Sequence, residues 1–155
     1  MLSLMWAYML ATTPVTAATF DSAAHTIILT AHGEGAQIYE CKVSDGGSLV
    51  WTFREPIASL MVGGKTVGHH YAGPRWALAD GSTVQGKVSA TLPGETTADI
   101  SQLKLDVIAH QGKGALDQAS LVYRVGTHGG TLSGVCAMAG ALRSVAYSAD
   151  YLFEK

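Results

Sequence analysis

The residues best suited to chemistry are crowded between Gly68 and Ser82, in the run Gly-His-His-Tyr-Ala-Gly-Pro-Arg-Trp-Ala-Leu-Ala-Asp-Gly-Ser. Tyr71 and Trp76 offer flat faces for stacking on a ring or a sugar. His70 and Asp80 can hydrogen-bond a ligand, and Arg75 can meet a negative charge. Arg124, further along the chain, offers a second guanidinium that could clamp a carboxylate. An imidazole can also hold a transition metal, so His70 is the candidate metal ligand, with His32, His110 or His128 as distant partners for Zn²⁺, Cu²⁺ or non-haem iron. A transition metal is the one cofactor these residues suggest, and none shows a diagnostic ligand spacing.

Each residue also has a plainer reading. Adjacent strand residues point to opposite faces, so His69 and His70 do not serve one site. Asp80-Gly81 is a hairpin signal, which makes Asp80 first a turn residue. Gly73-Pro74 marks a bend, and a tryptophan on a β domain is commonly core. Arg124 stands opposite Leu121, Tyr123 and Val125 in an alternating run, where a solvated arginine is the ordinary expectation.

Several reaction classes lack their motifs. No G-x-S-x-G elbow supports a serine nucleophile. No Walker loop is present, and Gly33-Glu34-Gly35 alone reads as a turn. Glu40, Glu55, Asp80 and Asp150 supply carboxylates, but glycoside hydrolysis needs two of them held about 5 to 9.5 Å apart.

The elements that carry these residues read as strands. Gln37, Tyr39, Cys41 and Val43 alternate with Glu40 and Lys42. Leu49, Trp51 and Phe53 follow Asp45-Gly46-Gly47. Val84, Val88 and Ala90 share one face, as do Leu103, Leu105, Val107 and Ala109. Near the end Val145, Tyr147, Ala149, Tyr151 and Phe153 fall together. This period of two belongs to half-buried antiparallel strands. The glycine-rich punctuation between them predicts an all-β fold, an antiparallel β-sandwich or barrel with short loops. Helix is limited to one-turn pieces near Glu55–Leu60 and Ala137–Leu142.

Composition narrows the partners. The 155 residues include 10 Lys+Arg against 12 Asp+Glu, a formal net charge of −2. That leaves no basic field for a nucleic acid backbone. The segment 1–18 reads as a signal peptide: Leu2–Leu10 is apolar, and small residues follow around Pro14 up to Ala18. No Lys or Arg precedes the apolar run; the first basic residue is Lys42. The run is short of the roughly 20 residues of a membrane-spanning helix. Residues 19–155 then form a single β domain, secreted or periplasmic, with no transmembrane segment after cleavage. In an exported chain the two cysteines, Cys41 and Cys136, are most simply one disulfide.

Read together, Gly35-Ala36-Gln37-Ile38-Tyr39-Glu40-Cys41, Trp51-Thr52-Phe53 with Glu55-Pro56, the Val67–Ser82 run, Gly112-Lys113-Gly114, Tyr123-Arg124-Val125, Thr127-His128-Gly129-Gly130, Cys136 and Val145–Tyr151 resemble a family of secreted bacterial and fungal proteins known as a domain of unknown function, DUF3455. The resemblance is collinear over nearly the whole mature chain. It implies export, a compact β architecture and paired cysteines, and it implies no activity. The family pattern carries one histidine in His-Tyr-x-Gly-Pro-x-Trp, which corresponds to His70. The chain departs from it at Gln102-Leu103, where the pattern has a Trp nearby, and at Leu132-Ser133, where it usually has a Pro.

The expectation is an exported β domain that binds a carbohydrate, another small extracellular molecule or an envelope component in a cleft near His70–Asp80. The alternatives are a metal-dependent enzyme using His70 and a structural or interaction protein whose motif only locks a hairpin.

Overall fold

A computed structural model of the chain describes residues 19, 20 and 26–155. The expected leader, residues 1–18, lies outside the described residues. Eight strands follow in order: β1 (Ile27–Val43), β2 (Leu49–Val62), β3 (Lys65–Tyr71), β4 (Arg75–Leu78), β5 (Thr83–Leu92), β6 (Gln102–Gln111), β7 (Leu121–Gly129) and β8 (Leu142–Glu154). Each pairs antiparallel with the next, and β1 pairs with β8. The sheet therefore closes into a barrel and leaves no edge strand. Of sandwich and barrel, the fold is the barrel.

The turns explain the simple order. Gly63 and Gly64, with φ of 57° and 76°, link β2 to β3. Two consecutive positive-φ residues make the primed turn whose twist matches an antiparallel hairpin. The β3–β4 turn carries a cis Gly73–Pro74 peptide. No helix occurs among the described residues, and none there is long and apolar enough to cross a membrane.

Glu55–Leu60, expected as a one-turn helix, is extended chain within β2. Pro56, Ala58 and Leu60 are buried while Ile57 and Ser59 are exposed, a period of two that the short window and its proline obscured. Pro56 is tolerated because it lies beside the irregularity at Ile38/Tyr39, where the β1–β2 ladder shifts register. Ala137–Leu142 is bend and turn leading into β8, not helix.

The interior divides into two halves. In the lower half Leu60, Trp76, Val84, Leu105, Leu116, Val122 and Phe153 pack as one cluster. Each such burial is worth about 1.5–3 kcal/mol. Small residues make room for the rings: a Cβ at Gly33 would stand 2.6 Å from the Tyr151 ring, and one at Gly86 would stand 3.0 Å from that of Trp76. Leu116, from the β6–β7 connection, plugs this end. The Asp80 carboxylate holds the plug by accepting from Ala115 N at 2.8 Å, and Ser82 Oγ accepts from Leu116 N at 3.3 Å. Ile27 and Glu154 pair at the same end, so the first and last strands meet there.

The other end is tied by Cys41–Cys136, the expected disulfide, which joins β1 to the β7–β8 loop. Tyr39 donates its hydroxyl to Gly130 O at 2.7 Å, and Asp99 accepts from Gly129 N at 2.7 Å. These bonds fix the loops around an open mouth.

The β7 strand is buried on both sides. Leu121 and Tyr123, expected to face the core, pair with Glu154 and Leu152 on the outer wall, where Phe20 lies 5.6 Å from Tyr123. Val122 and Arg124, paired with Phe153 and Tyr151, point inward.

Candidate functional site

At the mouth, above the packed half, lies a cavity of about 590 Å³. A size of this order suits a small organic ligand. Its deeper wall includes Gln37, His70 and Arg124, and its rim includes Phe53, Val88 and Leu103. Phe53 is 52% exposed and meets Tyr39 edge-on at 5.9 Å. Val88 reaches the rim because β5 is irregular at Gln85/Gly86 and again at Val88/Ala90.

His70 sits at the boundary between cavity and core, 2% exposed. Its ring lies flat on Trp76, with centroids 4.6 Å apart and planes at 13°, and tilts against Tyr151 at 5.1 Å. Nδ1 donates to Arg75 O at 2.8 Å. A carbonyl only accepts, so Nδ1 carries the proton and Nε2 keeps its lone pair. Burial pushes the pKa down to about 4, partly offset by that hydrogen bond. His70 is thus a neutral hydrogen-bond acceptor at neutral pH.

Arg124 is held by the backbone. Nε and Nη2 donate to Ser101 O at 3.0 and 2.8 Å. Arg124 is the cross-strand neighbour of Tyr151, whose hydroxyl lies 2.9 Å from that of Tyr147. Burial lowers the Arg124 pKa from its ordinary value and raises those of Tyr151 and Tyr147. The phenols therefore stay protonated. Among the described residues Arg124 has no carboxylate partner; the ion pairs there are His32–Glu34, His32–Asp150, Lys42–Glu40 and Arg54–Glu55. Asp99 also lines the cavity, but its carboxylate is bound to Thr96 and Gly129 N.

Of the side chains expected between Gly68 and Ser82 to bind a ligand, only that of His70 lines this cavity, beside Ala72, Gly73 and Pro74 of the turn. Trp76 is 1% exposed and serves as the platform beneath His70. Tyr71 pairs with Arg75 on the outward side of the β3–β4 hairpin and stacks on His69 at 5.1 Å. Arg75 braces the turn by donating to Ala72 O at 3.0 Å and Gln85 Oε1 at 3.1 Å. Asp80 lies at the plugged end. The remaining imidazoles are dispersed: His32 bridges Glu34 and Asp150 on the outer wall, His110 bonds Ala119 O at the plugged end, and His128 borders a separate groove with Phe20 and Tyr123. Among the described residues no group of three His, Cys, Asp or Glu side chains is placed to hold a metal ion.

The family model described as protein of unknown function, DUF3455, matches residues 22–155. The chain belongs to the DUF3455 family. No curated protein and no solved structure matches it. In DUF3455 terms, the His-Tyr-x-Gly-Pro-x-Trp segment builds one wall of the cavity through His70, Gly73 and Pro74, while its Trp builds the floor. Asp80-Gly81-Ser82 and Gly112-Lys113-Gly114 belong together at the other end: a Cβ on Gly114 would collide with the Asp80 carboxylate, and one on Gly112 with Gly81 O.

The cavity also uses Gln37, Tyr39, Phe53 and Leu103, which sequence reasoning placed in strands without a role. Their shared position appears only once all eight strands close into the barrel.

Proposed function

We propose that this domain is an exported binding protein that takes a small extracellular molecule, such as a carbohydrate, into the barrel mouth. One observation carries the reading. The cavity wall holds polar atoms whose bonding capacity the protein itself does not use. Gln37 is 2% exposed, and its Oε1 has no hydrogen-bond partner among the described residues. The lone pair of His70 Nε2 is likewise left over. A buried polar atom without a partner costs about 1–3 kcal/mol, which a ligand hydroxyl or amide would offset. The rim of Phe53, Val88 and Leu103 suits the apolar face of a sugar or an aromatic ring. The disulfide supports an oxidising compartment and hence export.

The test is a thermal-shift and calorimetric screen of monosaccharides and small aromatic compounds. It compares wild type with Leu103→Trp, which fills the mouth. The expected result is at least one compound that binds wild type and fails with the filled variant. Identical behaviour of both proteins toward every compound would count against the reading. Mass spectrometry of the exported protein should find residue 19 at its N-terminus.

A further inference from the structure

Arg124 narrows the ligand to one chemical class, an inference that rests on the cavity reading above. A cation that faces inward on β7, against Tyr151 on β8, is expensive to desolvate. Proteins usually offset that cost with a carboxylate. Here neither carboxylate nor phenolate does so: among the described residues no acidic side chain pairs with Arg124, and Asp99 is engaged elsewhere. A guanidinium has five N–H donors in a planar fork. Ser101 O takes the Nε–Nη2 side, which orients the fork; the Nη1–Nη2 edge has no carboxylate on it among the described residues, and Arg124 lines the cavity. That edge matches the two oxygens of a carboxylate. The rest of the wall sorts the remaining ligand atoms. Gln37 and His70 line the same cavity as the cation, Gln37 Oε1 without a partner and His70 bonded only through Nδ1, while Phe53, Val88 and Leu103 surround the entrance.

We infer that Arg124 is an anion receptor, and that the barrel mouth takes a small organic acid, its carboxylate on the guanidinium and its uncharged body against Phe53 at the rim. Ser101 and the Tyr147–Tyr151 hydroxyl pair are positioning groups that fix the fork before the ligand arrives. A preformed site of this kind loses little entropy on binding.

Matched pairs test the inference on the unaltered protein. Calorimetry would compare D-glucuronate with D-glucose, and phenylacetate with 2-phenylethanol. In at least one pair the acid should bind about tenfold tighter or better, a difference of roughly 1.4 kcal/mol. Arg124→Gln should abolish that preference, so that the acid binds no tighter than its neutral partner. Arg124→Lys, which keeps the charge, should retain part of it. In ¹⁵N-labelled wild type the Arg124 Nε–H resonance should shift as the acid is added. Neutral partners that bind as well as the acids, while Leu103→Trp still blocks them, would overturn the anion inference and leave the cavity reading standing. Acids that leave the Arg124 resonance unmoved would overturn it too. A preference for acids that survives in Leu103→Trp would overturn both.

Discussion

His70 lies parallel to Trp76 at 4.6 Å and is the point where the mouth cavity and the hydrophobic core share a surface. One face of the imidazole completes the packing of the lower barrel. Nδ1 is locked by Arg75 O, which leaves Nε2 as the ring's remaining polar atom. Perturbing the site here also perturbs the core.

Acid should therefore weaken the fold through His70. The folded-state pKa is about 4, against roughly 6.5 in an unfolded chain. Between those values the unfolded state binds more protons, so stability falls as pH drops from about 6.5 to about 4. The full loss is on the order of 3 kcal/mol. Urea unfolding across that range checks the slope. NMR titration checks the cause: the His70 imidazole should show no titration near its ordinary pKa. A midpoint there would sink the prediction.

His32 should behave in the opposite sense. Its Nδ1 and Nε2 meet Asp150 at 2.8 Å and Glu34 at 2.9 Å, and these bonds raise its pKa. The stability they contribute is fully present below about pH 6.5 and is lost as pH rises through the higher folded pKa. The site is open to solvent, so the effect is small. His32→Gln should remove the alkaline part of the stability profile and leave the acid part intact. The idea fails if His32 titrates at or below its ordinary value.

The two histidines show what was legible in the chain. Alternation separated His69 from His70, because strand geometry puts neighbours on opposite faces whatever the topology. Arg124 was harder. Leu121 and Tyr123 suggested an inner face, yet they lie on an outer wall covered by Phe20, so β7 is apolar on both sides and periodicity cannot say which is which. The barrel itself needed the β1–β8 pairing, a contact between the ends of the domain that no local pattern encodes. Gln37 and Tyr39 read as strand residues for the same reason.

Removing the disulfide should loosen the mouth before the plugged end. Cys41 and Cys136 are 95 residues apart in sequence. Closing so long a loop is worth about 4–5 kcal/mol on the chain-entropy model. A Cys41→Ser, Cys136→Ser double variant should melt well below wild type and be cleaved first between 130 and 141 in limited proteolysis. Equal melting temperatures would refute this.

Asp80 should prove structural. It accepts from Ser82 N at 2.8 Å, Ser82 Oγ at 2.7 Å and Ala115 N at 2.8 Å, and so clamps the Leu116 plug. Losing those bonds in Asp80→Ala should cost about 1–3 kcal/mol. Ligand affinity, measured on the folded fraction by calorimetry, should be unchanged. A variant that keeps wild-type stability yet loses binding would reverse the assignment.

The meeting of β1 and β8 at the plugged end has a practical corollary. Thr26 and Lys155 exchange backbone hydrogen bonds at 3.0 and 3.4 Å. Gln37, on the cavity wall, lies ten residues beyond Ile27 along β1, roughly 30 Å at strand rise. The end of β8 therefore serves as a handle remote from the opening. A domain tethered there, to a sensor chip or to another protein, presents its mouth outward.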